Sequence, residues 1–139
     1  MSEQTDKQAH YARTNNHVEL VGNIGGAPEV REFPESGKKL ATFSLCTRER
    51  FTVEGKEVET EPEWHRITAW EGLAEQITEK LAKGAFIRVI GKLKTREFDT
   101  KEGTKGYRTE IVAREIQSLA KDPEARFTLK AKSLAASQE

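Results

Sequence analysis

Apolar and polar residues alternate with a period of two along much of the chain, which is the pattern of half-buried β-strands. This alternation predicts five main strands, at residues 17–24, 40–47, 64–70, 86–98 and 107–119. A shorter strand is predicted at 30–33, between a break at Gly25–Pro28 and a turn at Pro34–Gly37. Residues 48–62 are predicted to form a long charged loop, and residues 99–106 a polar hairpin turn.

One segment has the periodicity of a helix. Leu73, Ile77 and Leu81 recur every four residues, which predicts a helix over residues 72–83 with Gly84 as its C-terminal cap. Five strands with one helix between the third and the fourth are the order of an OB-fold, a fold that commonly binds oligonucleotides. The predicted fold is therefore all-β: a five-stranded OB-fold Greek-key barrel with one α-helix between strands 3 and 4.

The length of 139 residues fits one domain with a modest core. Residues 1–16 are polar and lack periodicity, so we predict a disordered N-terminal arm. The predicted OB domain spans residues 17–119. Residues 120–139 are polar and alanine-rich, and are predicted to form a short tail that is flexible or partly helical.

The third strand carries both tryptophans of the chain. If residues 64–70 form a strand, Trp64, Arg66, Thr68 and Trp70 share one face, and His65 lies on the other with Ile67 and Ala69. Flat aromatic rings beside a guanidinium suit the stacking of unpaired bases, with the cation near phosphate. The alternative is that both indoles are buried in the core and that Arg66 extends past them to solvent.

The fourth strand favours the nucleic-acid interpretation. Ile87, Val89, Gly91 and Leu93 are predicted to face the core, and the opposite face reads Arg88, Ile90, Lys92, Lys94, Arg96 and Phe98. All charged positions of that second face are cationic, whereas a merely solvated strand usually mixes both signs. Two strands that pair cations with aromatic rings predict the binding of single-stranded nucleic acid.

The formal net charge is zero, from 23 basic and 23 acidic residues, which is unusual for a nucleic-acid binder. The charges are nevertheless segregated along the chain. Residues 86–114 contain eight Lys or Arg and four acids, whereas residues 49–63 contain two basic residues and six glutamates. The acidic stretch is interpreted as a solvated loop, and a regulatory contact with basic segments is the alternative.

Residue types that would support catalysis or a metal site are few. The single cysteine, Cys46, excludes an internal disulfide and a zinc–thiolate site within one chain, and it fits a small buried strand residue. The three histidines lack metal-ligand spacing, and the three aspartates lie in predicted tail or loop positions. We therefore predict no enzyme activity, no cofactor and no metal. No apolar run has the length of a membrane span and no signal-peptide pattern is present, so we expect a cytoplasmic, nucleoid-associated protein.

The sequence resembles the bacterial single-stranded DNA-binding protein family from about Asn16 to Leu119. The matching segments, in the order of the family, are Val21–Gly25, Pro28–Arg31, Phe43–Leu45, Trp64–Arg66, Leu73–Glu75, Lys83–Gly84, Gly91–Arg96 and Tyr107–Glu110. The resemblance implies a homotetramer of OB-folds that wraps unpaired DNA without sequence preference, in replication, recombination and repair.

The resemblance also implies roles for individual residues. Its base-stacking aromatics fall on Phe51, Trp64, Trp70 and Phe98 of this chain. Its phosphate-contacting positions fall on Arg66, Lys83, Lys94 and Arg96, and Lys92 joins them as part of the basic strand face. His65 matches a histidine that the family uses in subunit contacts.

The chain departs from the family at two places. Glu71 replaces a basic residue that often precedes the helix, and the chain ends in residues 132–139 without the acidic, phenylalanine-containing tip that recruits replication and repair proteins. Replication and repair proteins remain candidate partners, although the tip that usually recruits them is absent from this sequence. Two other binding modules remain alternatives: a dimeric, primosome-type relative of the same fold, and an RNA-binding OB protein.

Overall fold

The computed structural model describes residues 14–131, and it contains nine β-strands, one α-helix and one turn of 3₁₀-helix in that range. The strands are β1 (Val18–Ile24), β2 (Glu29–Glu32), β3 (Lys39–Thr47), β4 (Arg50–Val53), β5 (Lys56–Glu59), β6 (Glu63–Trp70), β7 (Phe86–Asp99), β8 (Lys105–Ser118) and β9 (Thr128–Lys130). Helix α1 is Glu71–Lys80, and the 3₁₀ turn is Pro123–Ala125.

Five of these strands close into a barrel. The hydrogen-bonded order runs β1-β7-β8-β6-β3, and β3 pairs again with β1 to complete the ring. Strands β6 and β8 pair in parallel, and the other neighbours in the ring pair antiparallel. With α1 between the third and fourth barrel strands, this arrangement confirms the predicted all-β OB-fold.

The interior of the barrel is filled by the alternate residues that the sequence pattern assigned to it. Ala41, Phe43 and Leu45 of β3 are buried, as are Ile67 and Ala69 of β6. Helix α1 adds its own apolar side, through Leu73, Ala74 and Ile77, to the same core. Burial of each large aliphatic side chain contributes about 1.5–3 kcal/mol to folding, so the alternation itself fixes which face of each strand points outward.

The charged segment between β3 and β6 differs from its prediction as a loop. It contains a separate two-stranded hairpin, β4–β5, in which Phe51 pairs with Val58 and Val53 with Lys56. The turn residues Glu54 and Gly55 have φ of 51° and 80°, the left-handed pair that tight hairpins require. Four-residue strands rich in charge carry little hydrophobic periodicity, so the pattern alone did not reveal them.

The helix is shorter at its C-terminal end than predicted. It ends at Lys80, and the cap is Leu81, whose backbone N–H donates to the carbonyl of Ile77. Gly84, predicted as the cap, has a φ of 88° and instead donates its backbone N–H to the carbonyl of Ile24 on β1. The glycine therefore turns the chain from α1 into β7.

Both predicted domain boundaries are also corrected. The side chain of Asn16 exchanges two hydrogen bonds of 2.8 Å with the backbone of Leu93, so the folded domain includes this residue of the predicted arm. At the other end, β9 pairs with β8, and Leu129 is buried in the core, where a flexible tail was predicted. Residues 1–13 and 132–139 of the predicted arm and tail lie outside the described residues.

Candidate nucleic-acid interface

Trp64 lies on the outer face of β6, as the alternation predicts. Its side chain is 55% exposed, so its burial in the core, the alternative interpretation, is wrong. The ring lies against Gly25, where a Cβ atom would come within 2.5 Å of ring carbon Cζ3. A residue with any side chain at position 25 would displace the ring. Gly25 therefore supports the indole, which remains more than half exposed to solvent.

A cleft of about 500 Å³ opens beside this ring. Trp64 and Arg66 form its wall on β6, Ser44 and Thr42 line it from β3, and the loop that begins at Gly25 closes it on the third side. An aromatic ring, a guanidinium and two hydroxyl groups thus surround one open space, and the exposed Glu29 of β2 also lines it. The ring and the guanidinium suit a ligand with a flat ring and an anionic group.

A buried carboxylate holds the two arginines of the outer face. Glu110 on β8 has a side chain that is 3% exposed and accepts a hydrogen bond of 2.6 Å from Nε of Arg96. Nε of Arg66 lies 3.6 Å from the other carboxylate oxygen of Glu110. The hydroxyl of Thr68 donates a hydrogen bond of 3.3 Å to the same oxygen that Arg96 contacts. Two guanidiniums share one carboxylate, so the cluster keeps a net positive charge. The arginine side chains are 40% and 35% exposed, so both still reach solvent.

Trp70 has a different environment from Trp64. Its ring is half-buried and stacks on Phe33, with ring centroids 5.7 Å apart and planes 20° from parallel. The guanidinium of Arg96 lies 6.0 Å from the indole centroid. Trp70 therefore joins the arginine cluster to a further aromatic residue, and a base that approaches from the side of Phe33 would meet that ring first.

The hairpin formed by the outer ends of β7 and β8 carries Phe98. Its ring lies on Gly106, where a Cβ atom would come within 2.6 Å of Cζ, and the guanidinium of Arg108 lies 5.3 Å from the ring centroid. Lys94 is exposed and Lys92 half-buried on the same strand face. Leu93, predicted as core, is 49% exposed, because at this point β7 has passed beyond the closed barrel.

The remaining predicted site residues are more scattered. Phe51 lies on the β4–β5 hairpin and is exposed. Lys83 is exposed in the turn after α1. This turn lies beside the end of β1, because the next residue, Gly84, donates its backbone N–H to the carbonyl of Ile24. His65 is half-buried, and its Nε2 lies within a hydrogen bond of 2.9 Å from Oγ1 of Thr47. Cys46 is buried, as predicted.

Sequence reasoning missed two residues of this face, Glu110 and Phe33. Glu110 lies where β8 changes from polar residues to the apolar run 111–113, and an acid at such a boundary would be expected to face solvent. Phe33 precedes Pro34 at the end of a short strand, and its contact with Trp70 joins positions 37 residues apart. Only the closure of the sheet reveals either partner.

Residues 14–131 contain neither a candidate metal site nor a membrane-spanning helix. No group of three or more His, Cys, Asp or Glu side chains in that range could hold a metal ion. No helix of the described chain is long and apolar enough to cross a membrane.

Comparison with known proteins agrees with this geometry. Residues 15–119 match the single-strand binding protein family. Single-stranded DNA-binding protein 1 of Chlorobaculum tepidum is 42% identical over 113 residues, which cover 80% of this chain and 69% of that protein. The protein of the same name from Xylella fastidiosa is 40% identical over 109 residues, 76% of this chain and 78% of its own.

A solved structure, the Plasmodium falciparum SSB complex with ssDNA, superposes with a TM-score of 0.63 at 26% identity. The superposition covers 85% of this chain and 96% of the other. Both the family match and the relatives span most of the chain, including the barrel and its outer face. The chain belongs to the single-strand binding protein family.

Proposed function

We propose that this protein binds single-stranded DNA without sequence preference, by stacking bases on aromatic rings and pairing phosphates with basic side chains. The observation that carries the proposal is the outer face of β6: an exposed Trp64 supported by Gly25, with Arg66 and Arg96 held beside it by Glu110. The family membership and the relatives named for this activity support the same conclusion.

The energetics follow from the two kinds of contact. Each stacked base contributes about 1–3 kcal/mol, and because every base has a flat face, the contribution does not depend on sequence. Phosphate contacts release counterions. The logarithm of the affinity therefore falls linearly with the logarithm of the salt concentration, with a slope of about 0.7 for each neutralised phosphate of a single strand. Duplex DNA binds poorly because its bases are already stacked on one another.

The predicted DNA contacts divide into two sets. Stacking is assigned to Phe51, Trp64, Trp70 and Phe98, and phosphate contact to Arg66, Lys83, Lys92, Lys94 and Arg96. The positions of Trp64, Phe98 and the two arginines support the assignment, since these side chains are exposed or half-exposed on the outer surface. Binding and protection of unpaired DNA, rather than catalysis, would serve replication, recombination and repair at the nucleoid.

We further propose that the chain assembles as a homotetramer. The outer face of β1 and β7 supports this, since Val21 and Phe86 are exposed on adjacent strands and share one face. The two residues are diagonal neighbours across the paired strands, and contiguous exposed apolar residues are typical of a surface that a subunit contact covers. We also place His65 in a subunit contact, as the family resemblance implies. A mass of four chains in solution is expected, and a dimer would favour the primosome-type alternative.

The test of binding is a fluorescence titration. Oligo-dT is expected to quench tryptophan emission strongly, and a duplex of equal length to leave it nearly unchanged. Repeating the titration at several salt concentrations counts the phosphate contacts, and a matched RNA oligomer measures the preference for DNA. Equal responses to duplex and single strand would contradict the proposal.

A further inference from the structure

A second cleft, of about 440 Å³, lies beside the stacked pair Phe33 and Trp70. The turn from Pro34 to Lys38 forms its other side. Backbone hydrogen bonds close this turn at its base: Phe33 donates to the carbonyl of Lys38 at 2.9 Å, and Gly37 donates to that of Phe33 at 2.7 Å. The cleft therefore has an ordered wall on each side. Its volume is within the range of about 300–1,000 Å³ typical of small-ligand sites.

The charges around this cleft are mostly positive. The guanidinium of Arg31 lies 4.9 Å from the centroid of Phe33, and that of Arg96 lies 6.0 Å from the centroid of Trp70. Lys38 lines the cleft directly, and Glu35 is the one acid among the described residues that line it. Aromatic rings with cations on their periphery match the two parts of a nucleotide, a flat base and an anionic phosphate.

Side-chain contacts also link this cleft to the candidate interface. Trp70 lines the cleft, and Arg96 connects its ring to Glu110 and so to Arg66 in the first cleft, beside Trp64. A strand that passes Trp64 and the two arginines would therefore reach Phe33 next. Phe33 is half-buried, with its ring stacked on Trp70.

We propose that this cleft is a nucleotide subsite in which Phe33 stacks one base of single-stranded DNA and Lys38 contacts the adjoining phosphate. The proposal rests on the proposed function, because it extends the path of the same ligand. It assigns to Phe33 a direct DNA contact that the sequence did not predict. In this subsite Phe33 takes the stacking role assigned above to Trp70, and the ring of Trp70 supports Phe33 from behind.

The test compares Phe33→Leu with Phe33→Trp and with Val30→Ala. Leucine keeps apolar bulk but removes the flat ring, and tryptophan restores it. Val30 is an exposed residue of β2, three positions before Phe33, and its register partner, Ala41, faces the core. Affinity of Phe33→Leu for oligo-dT is expected to fall about fivefold or more, since one stacked base is lost, while the other two variants stay within about twofold of the unaltered protein.

Photocrosslinking separates a DNA contact from a packing role. Oligo-dT substituted with 5-iodouracil is expected to form an adduct on the peptide that contains Phe33 in the unaltered protein. Lys38→Ala should reduce the log–log salt slope by about 0.7, the contribution of one phosphate.

The outcomes distinguish failure of the proposed function from failure of the Phe33 subsite alone. If the unaltered protein fails to bind oligo-dT, the proposed function fails. If it binds and Phe33→Leu binds equally well, the subsite alone is overturned. Loss of affinity without an adduct at Phe33 also overturns the subsite, because Phe33 would then act only by packing against Trp70.

Discussion

The outer face of the barrel and the β4–β5 hairpin both present an exposed aromatic residue, but they differ in what surrounds it. Trp64 lies against Gly25 beside Arg66 and Arg96, and a buried carboxylate fixes those arginines. Phe51 lies on a separate two-stranded sheet among residues 49–63, where six glutamates outnumber two basic residues. The family resemblance implied base stacking for both residues, and for Trp64 the alternation along its strand predicted it as well.

From this difference we expect exposed aromatic rings to contribute unequally to DNA binding. Stacking brings a phosphate near the ring, and the surrounding charge decides whether that phosphate is attracted or repelled. The hairpin formed by the ends of β7 and β8 lies between these extremes. It carries Phe98 and, over residues 94–108, five basic side chains and three acidic ones.

The largest effect that separates the two regions is expected from truncation of the rings. Trp64→Ala should weaken binding to oligo-dT, oligo-dC and oligo-dA alike, by roughly 5- to 150-fold, which corresponds to about 1–3 kcal/mol. Phe51→Ala should cost clearly less, since the adjacent glutamates oppose the phosphate that would accompany a stacked base. Titrations of both variants at one salt concentration measure the contrast. An effect of Trp64→Ala on a single base type would contradict sequence-independent stacking.

A smaller contrast is expected in folding stability. Glu110→Gln keeps the shape of the side chain but leaves two guanidiniums without their shared charge, so the free energy of unfolding should fall by about 1–3 kcal/mol. Glu57→Gln on the hairpin removes an exposed carboxylate for which no ion pair is found among residues 14–131, and should change stability by less than about 0.5 kcal/mol. Urea denaturation of both variants gives the comparison. Equal stability of the two would mean that Glu110 contributes nothing to the barrel face.

The smallest effect concerns the salt dependence. Lys94→Ala on β7 should reduce the log–log salt slope by about 0.7, the contribution of one phosphate. Lys56→Ala on the β4–β5 hairpin removes an equally exposed lysine and should leave the slope unchanged, because the glutamates around it keep phosphate away. Titrations from low to high salt measure both slopes. A reduced slope in Lys56→Ala would show that DNA reaches the acidic hairpin.

Prediction from sequence succeeded where a residue's role depends on local periodicity. The alternation along β6 placed Ile67 and Ala69 inside and Trp64 outside, and the same rule held for the barrel part of β7. It failed for Leu93, because the alternation continues beyond the point where the barrel ends and nothing remains to cover that face. It failed again for the β4–β5 hairpin and for β9, which are too short to carry a period.

The candidate site was predicted only in part for a related reason. Trp64, Arg66 and Arg96 could be assigned to outer faces of their own strands. Whether the two arginines meet, and on what, depends on the parallel pairing of β6 with β8, which brings Glu110 between them. Such a pairing joins residues more than 40 positions apart, so no local pattern contains it.

The sequence by itself determined the fold class, from the order of strands and helix along the chain. It also determined the face on which most alternating residues lie, because side chains on successive strand residues must point to opposite sides. The tertiary structure decided which outer-face residues become neighbours. Closure of the barrel set Trp64 on Gly25 and joined two arginines through one buried carboxylate. The pairing of β2 with β3, and of β3 with β6, brought Phe33 onto Trp70. These contacts depend on strand register and on distance in space, and both are properties of the closed sheet rather than of any one segment.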